Sequence, residues 1–512
     1  MTTPSLAALL RADADCSRTD VLATVALLVC GLFLFAPLAT RADVTPLYAV
    51  VAALAGVYAY LAARRQLLGG SVVLLVTLAT FSADYPLTGR AGEYASQLGP
   101  KLWLFQGPLL LALGLLVLHR DRLPRDLPPA GVALGLFALW TLVPVALGRP
   151  LDTRAAVYFA LLVGQCWLTY VAVYYTVRSG ALGPRAVPLA LVVVLCAHLL
   201  LAVAQVVNGD SFGLSTLGEP VDNAFEAVGP FRSGTHVAGF TGMSYRLAAL
   251  ATLLVPVGVG LLAERWRAGA LPLAVGGVGA TGALLALTYT SAGQAAYLVA
   301  CVALLVAFAC DALGLLERRS VVFGCALLGY LALVAAIVAV TRAPELLLSV
   351  ADALPLVDAR NLDSRLAQYR AGFALAADHP VAGIGGGNFV EHAHEFGANR
   401  RPIHSAYLSL AAETGLVGLL LYVGAQVSVL ASAATSVAER SLPALGFLCG
   451  FLGLTTLAVF DHLTLLSYVC AIPLWGLCAA VDAEAAGTNA GTDAAARGAG
   501  GVAQATRARN DS

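Results

Sequence analysis

Between residues 362 and 418 the chain gathers side chains that bind charged phosphate and move protons. Leu362, Leu366, Tyr369 and Phe373 recur at helical spacing and predict an amphipathic helix over about 362–378. Asp363 or Ser364 would cap its start. His379-Pro380 would end it, because a residue before proline disfavours the α region. Arg365 and Arg370 both belong to this helix. A guanidinium is permanently charged and grips phosphate oxygens in pairs. Five residues apart, the two lie about 140° from each other around the axis. They do not share a face, and one is left a structural role. Gly383-Ile384-Gly385-Gly386-Gly387-Asn388 comes next. Glycine-rich loops cradle phosphate when they open a helix. This one follows a helix, so a flexible turn is the simpler reading. His404 then stands at the mouth of an apolar helix, in Pro402-Ile403-His404-Ser405-Ala406-Tyr407-Leu408. An ionisable residue there is a candidate for proton transfer; a histidine capping the helix is the alternative. Glu391, His392, His394 and Glu395 are metal-ligating types. Their spacing fits no standard zinc motif, and His392 and His394 read as solvated loop residues.

The elements that must position these residues are membrane spans. Of 512 residues, 59% are hydrophobic and 12% charged, with a mean hydropathy of +0.82. A soluble domain carries about 25% charged residues. This chain cannot furnish a polar surface, and lipid must solvate most of it. The expected fold is an all-α polytopic transmembrane bundle. Runs long enough to cross a bilayer occur at 20–38, 45–63, 67–83, 101–118, 128–147, 155–176, 184–207, 244–263, 270–288, 292–314, 320–341, 405–430, 442–460 and 464–481. With the short 67–83 run and the tight final pair in the balance, 12 to 14 spans are expected. The first run is long for a signal-peptide core and lacks a convincing cleavage site, so it reads as a retained span. Net charge is zero, which argues against a nucleic-acid partner. Nine of ten cysteines lie inside apolar runs, so neither a disulfide framework nor a cysteine zinc site is expected.

Charge orients the bundle. Cytoplasmic loops are rich in Arg and Lys. With the N-terminus inside, the inner loops hold twelve such residues and the short outer loops five. The chain then divides into a cytoplasmic segment 1–19, spans over 20–207, a first outer loop 208–243 and spans over 244–341. A large outer loop 342–403, spans over 404–482 and a disordered cytoplasmic tail 483–512 follow. Six of the eight histidines fall on the outer side: His236, His379, His392, His394, His404 and His462. A reaction on that face is the natural inference.

The run Ser364–Gly418 resembles the signature domain of the O-antigen ligase and polymerase superfamily. The likeness rests on Arg365, on His379-Pro380-Val381-Ala382-Gly383-Ile384-Gly385, on His404-Ser405-Ala406-Tyr407-Leu408 and on Glu413-Thr414-Gly415-Leu416-Val417-Gly418. It covers about 55 residues closely and the rest by topology. The resemblance implies transfer of a polyprenyl-diphosphate-linked glycan to an acceptor sugar, lipid or protein on the outer face of the cytoplasmic membrane, with no metal or cofactor. It maps Arg365 onto the donor-binding arginine and His404 onto the key histidine. Arg370 is a further candidate for the donor diphosphate. A second family motif, Arg-x-x-Gly followed by Asn-Pro-Asn, meets His236-Val237-Ala238-Gly239-Phe240 here. The Asn-Pro-Asn is missing, and Arg232, four residues upstream, is the candidate to replace the absent cation beside His236. Ser291-Ala292-Gly293 stands where the family tends to Ser-Arg-Gly, and Ser405 where it has asparagine.

The competing class is a transporter or flippase of lipid-linked sugars. It calls for mid-span charges and two related halves, and the chain has few of the former and no visible repeat. Ligation and polymerisation are both open within the family.

Overall fold

The computed structural model describes residues 16–41, 46–86, 101–214, 217–219, 225–226, 234–235, 237–265, 270–286, 290–342, 359–462 and 467–487. The helices are α1 (Arg18–Arg41), α2 (Pro46–Arg64), α3 (Leu67–Leu78), α4 (Gln106–Leu118), α5 (Pro129–Trp140), α6 (Thr153–Arg178), α7 (Ala186–Asn208) and α8 (Ser244–Arg265). They continue as α9 (Ala270–Ala286), α10 (Ser291–Ala312), α11 (Arg319–Arg342), α12 (Ala359–Asp378), α13 (Ala406–Ala438), α14 (Leu442–Phe460) and α15 (Tyr468–Gly487). Every apolar run picked out in the sequence overlaps one of them. Among the described residues, eight helices are long and apolar enough to cross a membrane, and five shorter apolar helices accompany them. The protein is an all-α polytopic membrane bundle.

Lipid tails are as apolar as leucine, so membrane helices associate through close approach rather than hydrophobic exclusion. The α8–α14 pair does this with glycine. A Cβ on Gly446 would stand 2.2 Å from the Pro256 carbonyl oxygen, and one on Gly450 2.3 Å from that of Leu253.

Contacts between helix ends sort those ends into two sets. In one, Asp20 pairs with Arg64 at 3.0 Å, the Cys16 N–H donates to the Ala181 carbonyl, and Arg185 pairs with Glu264. Arg440 pairs there with Glu317 at 2.9 Å, and Ser441 donates to Glu484. In the other, Ser82 N–H donates to Phe240 O, Ala406 N–H to Asp461 O, Asp152 N–H to Asn388 Oδ1 and Tyr468 OH to Phe81 O. Each contact joins two ends that the span count puts on one side. A miscounted span between them would have paired opposite ends.

Some expected boundaries move. Lys101–Trp103 is not helix but a strand antiparallel to Asp84–Pro86. The Trp103 ring packs on Phe105 and Tyr468 there, and α4 starts at Gln106. Helix α15 runs to Gly487, past the expected start of the tail at 483, because Ala483 and Ala485 are buried. Residues 488–512 lie outside the described part.

Helix α12 ends at Asp378, before His379-Pro380 as expected, but starts at Ala359. Asp363 and Ser364 therefore lie inside it and do not cap it. Leu366 and Tyr369 are buried as expected, whereas Phe373 is 39% exposed. Gly372 takes the inward place instead: a Cβ there would come 2.8 Å from Ile403 Cδ1. Phe373, about 100° further round the helix, turns away. Tyr369, Leu375, Ile384, Phe389, Ile403 and Leu408 form a small core of their own, separate from the core of the bundle.

Candidate functional site

The two halves of the signature fold against each other. Gly415, at φ 70°, breaks α13 after its first turns. In an unbroken helix the Ala412 and Glu413 carbonyls would accept from N–H groups four residues on. Here they accept from Ile384 N–H at 3.1 Å and Gly385 N–H at 2.8 Å, while Leu416 N–H donates to Pro380 O at 2.7 Å. The approach leaves no room for side chains: a Cβ on Gly415 would stand 2.1 Å from Val381 O. The Glu413 carboxylate then accepts from Gly387 N–H and Phe389 N–H at 3.0 and 3.1 Å. The N–H groups that could have cradled a phosphate already hold a carboxylate of the protein itself. Asn388 ties the turn to the start of α6, accepting from Asp152 N–H at 2.7 Å and donating to Asp152 O at 3.1 Å. The glycine-rich turn is a pinned structural element, neither a phosphate loop nor a flexible link.

His404 sits just beyond this unit, at the entry to α13. The helix is capped by its neighbour: Ser405 Oγ accepts from Leu408 N–H. That removes the capping role from His404. It also makes Ser405 a conservative change from asparagine, since both are good N-cap residues. The His404 carbonyl accepts from Tyr369 OH at 2.9 Å, and its ring Nδ1 lies 2.7 Å from Gln368 Oε1. Gln368 Nε2 donates to Asn399 Oδ1 at 2.6 Å, and Asn399 Nδ2 to Ser364 Oγ at 2.8 Å. With the amides so oriented, Nδ1 carries the imidazole proton and Nε2 keeps its lone pair. Nε2 has no hydrogen-bond partner among the described residues.

The α14–α15 turn closes the site. The rings of His404 and His462 meet edge to face, centroids 5.8 Å apart. His462 Nδ1 is 3.4 Å from Asp461 Oδ1. Burial, helped by the charges of Arg365 and the neighbouring His462, holds the His404 pKa down to about 4. Burial also lowers His462, against Asp461 and with Arg246 and Arg365. At neutral pH His404 is thus an uncharged imidazole, the form that accepts a proton.

Of the arginines, Arg365 is half-buried and bears electrostatically on His404, His462 and Tyr369. Arg370 is exposed on the other side of α12, so the structure separates the two as their spacing predicts. Arg232 and His236 lie outside the described residues. Sequence reasoning missed Arg246, in the first turn of α8. Its Nη1 donates to Ser82 Oγ at 2.9 Å and Thr241 O at 3.3 Å, and its Nε is buried without a partner. Missed as well were Gln368, inside an otherwise apolar helix face, and Asp461, beside a histidine noted only for its side of the membrane. An arginine or aspartate at the end of an apolar run was the available signal. Among the described residues no group of three or more His, Cys, Asp or Glu could hold a metal ion. His392 is half-buried against Glu395 at 3.3 Å rather than solvated, while His394 is exposed.

A many-span helical membrane protein with a pinned polar segment at the helix ends, bearing a neutral histidine within reach of arginine charge, is the class defined by fold and site. Within that class, residues 276–423 match the family model described as O-antigen ligase, and that segment is similar to the O-antigen ligase family. The match takes in Arg365, Gln368, His404 and the Gly415 break; Arg246 and Asp461–His462 lie beyond it. No curated protein matches the chain.

Proposed function

We propose that the protein is a glycan ligase that moves a polyprenyl-diphosphate-linked glycan onto an acceptor at the outer face of the cytoplasmic membrane. The observation that carries this is His404: neutral, with Nε2 open, placed where the chain enters the membrane beside Arg365. The set of helix ends whose short loops are poor in arginine holds the site, which by the charge rule is the outer set. His404 Nε2 takes the proton of the acceptor hydroxyl as its oxygen attacks the anomeric carbon. The bond from that carbon to the diphosphate oxygen breaks, and polyprenyl diphosphate leaves with the electron pair. One displacement inverts the anomeric configuration. The leaving group needs cations, and Arg365 supplies the first. Arg246, with its unpartnered Nε and its charge bearing on His462, is the second. Arg232 and His236, outside the described residues, remain further candidates for the donor diphosphate. Repeat-unit polymerisation uses the same chemistry with a growing glycan as acceptor.

Purified protein in lipid nanodiscs, given a polyprenyl-diphosphate glycan and acceptor, should release polyprenyl diphosphate in step with new glycosidic bonds of inverted configuration. A chelator should leave the rate unchanged. Movement of intact donor across vesicles without bond formation would support a flippase instead. Arg246→Ala should cost about 10–100-fold in kcat/KM, the range for losing a hydrogen bond to a charged group. A variant as active as the parent would remove Arg246 from the donor site.

A further inference from the structure

We propose that Gln368 is a positioning residue that fixes the His404 tautomer and so makes Nε2 the base, held in turn by Asn399 and Ser364. The inference rests on the transferase reading above. Gln368 is fully buried, yet sits among neighbours, Tyr369, Ala371 and Leu375, that pack into an apolar core. A buried primary amide there costs free energy unless each of its atoms is matched. Both ends are matched: Oε1 to His404 Nδ1, Nε2 to Asn399 Oδ1. The string crosses from α12 to the segment after the pinned turn and back, joining residues 31 to 36 positions apart.

Polarity is what the string transmits. With Asn399 Nδ2 donating to Ser364 Oγ and Gln368 Nε2 to Asn399 Oδ1, Gln368 Oε1 faces the ring; the amide orientations set this polarity, because the Ser364 hydroxyl can donate as well as accept. A ring whose Nδ1–H is held by an acceptor presents its other nitrogen unprotonated. The opposite polarity would leave Nε2 protonated and unable to accept from a hydroxyl. The remaining charged or titratable groups around His404 are Arg365 and Tyr369 on α12, Arg401 on the approach to α13, and Asp461 and His462 on the α14–α15 turn. None of these makes a hydrogen bond to Nδ1 in the described structure.

The test is the pH–rate profile of glycan transfer by the full-length protein in nanodiscs. Gln368→Glu keeps an acceptor facing Nδ1–H and adds a negative charge. The imidazolium becomes easier to form, and the acid limb of kcat/KM should rise by about 1–3 pH units, with activity kept above it. Gln368→Met removes the acceptor at similar volume and should lower kcat about 10-fold or more with donor KM unchanged. Asn399→Ala, at an exposed position that should not threaten folding, frees the Gln368 amide to turn and should lower kcat by a smaller factor in the same sense. An unmoved acid limb in a folded Gln368→Glu protein, or parental kcat in both Gln368→Met and Asn399→Ala, would overturn the proposal. If the glutamate variant does not fold, the Asn399→Ala kcat decides alone. His404→Ala separates the two readings. An inactive His404→Ala beside an unmoved limb sinks only the role of Gln368, while a fully active His404→Ala sinks the transferase mechanism itself.

Discussion

Replacing His404 by alanine should lower glycan transfer by about 10²–10⁴-fold, the usual worth of general-base assistance, while the protein still inserts and purifies normally. The helix start does not depend on this side chain, because Ser405 supplies the cap and Tyr369 bonds only the His404 carbonyl. Burial and the Arg365 charge depress the ring's pKa to about 4, so the base form is present throughout the neutral range. The sign follows: the rate should stay level from about pH 8 down to pH 5–6 and fall as the ring protonates below that. His404→Gln retains hydrogen bonding but not basicity and should be nearly as damaged as alanine. Steady-state transfer assays with matched expression give the comparison, and a glutamine variant near the parental rate would refute proton abstraction by His404.

The second large effect concerns Arg365. Arg365→Ala should lose about 10²–10³-fold, the scale for removing one donor aimed at developing negative charge. Arg365→Lys keeps the charge but not the planar fork and should be impaired as well. The pH profiles then part. Arg365 holds the His404 pKa down, so alanine should let the acid limb move upward, whereas lysine should leave it near its original place. Arg370, exposed on the far side of α12, should tolerate alanine within about 2-fold, as surface substitutions usually do. Equal tolerance of alanine at both positions would take arginine out of the mechanism.

What could be read from the sequence follows from which interactions are local. Span positions were legible because a bilayer selects runs of about 20 apolar residues irrespective of their partners. The end of α12 was legible because proline acts on the residue before it. Arg365 and His404 were legible through a motif, and their unequal relation to Arg370 through helix geometry alone. Gln368 and Arg246 were not, because nothing near them in sequence reveals a partner. Gln368 meets Asn399 31 residues away, and Arg246 meets Ser82 164 residues away. The glycine-rich turn shows the same limit. Its composition suits either a phosphate cradle or a link, and only Glu413, 26 residues beyond Gly387, decides that its N–H groups are already taken. Phe373 fell on the wrong side because a periodic pattern cannot tell that Gly372 must pass close to Ile403.

The break at Gly415 and the three ties around it have a temporal consequence. Residues 380–389 are held at Asp152, at Glu413 and at Leu416, with helix backbone on one side and a bundle helix on the other. Such a stretch has no hinge at which to swing open and shut between turnovers. A transferase built on it keeps its reactive groups assembled between cycles, and its pace is set by traffic. Spent carrier lipid must drift away sideways in the bilayer before a charged one takes its place, so turnover should track membrane fluidity and carrier density more closely than any motion of the protein.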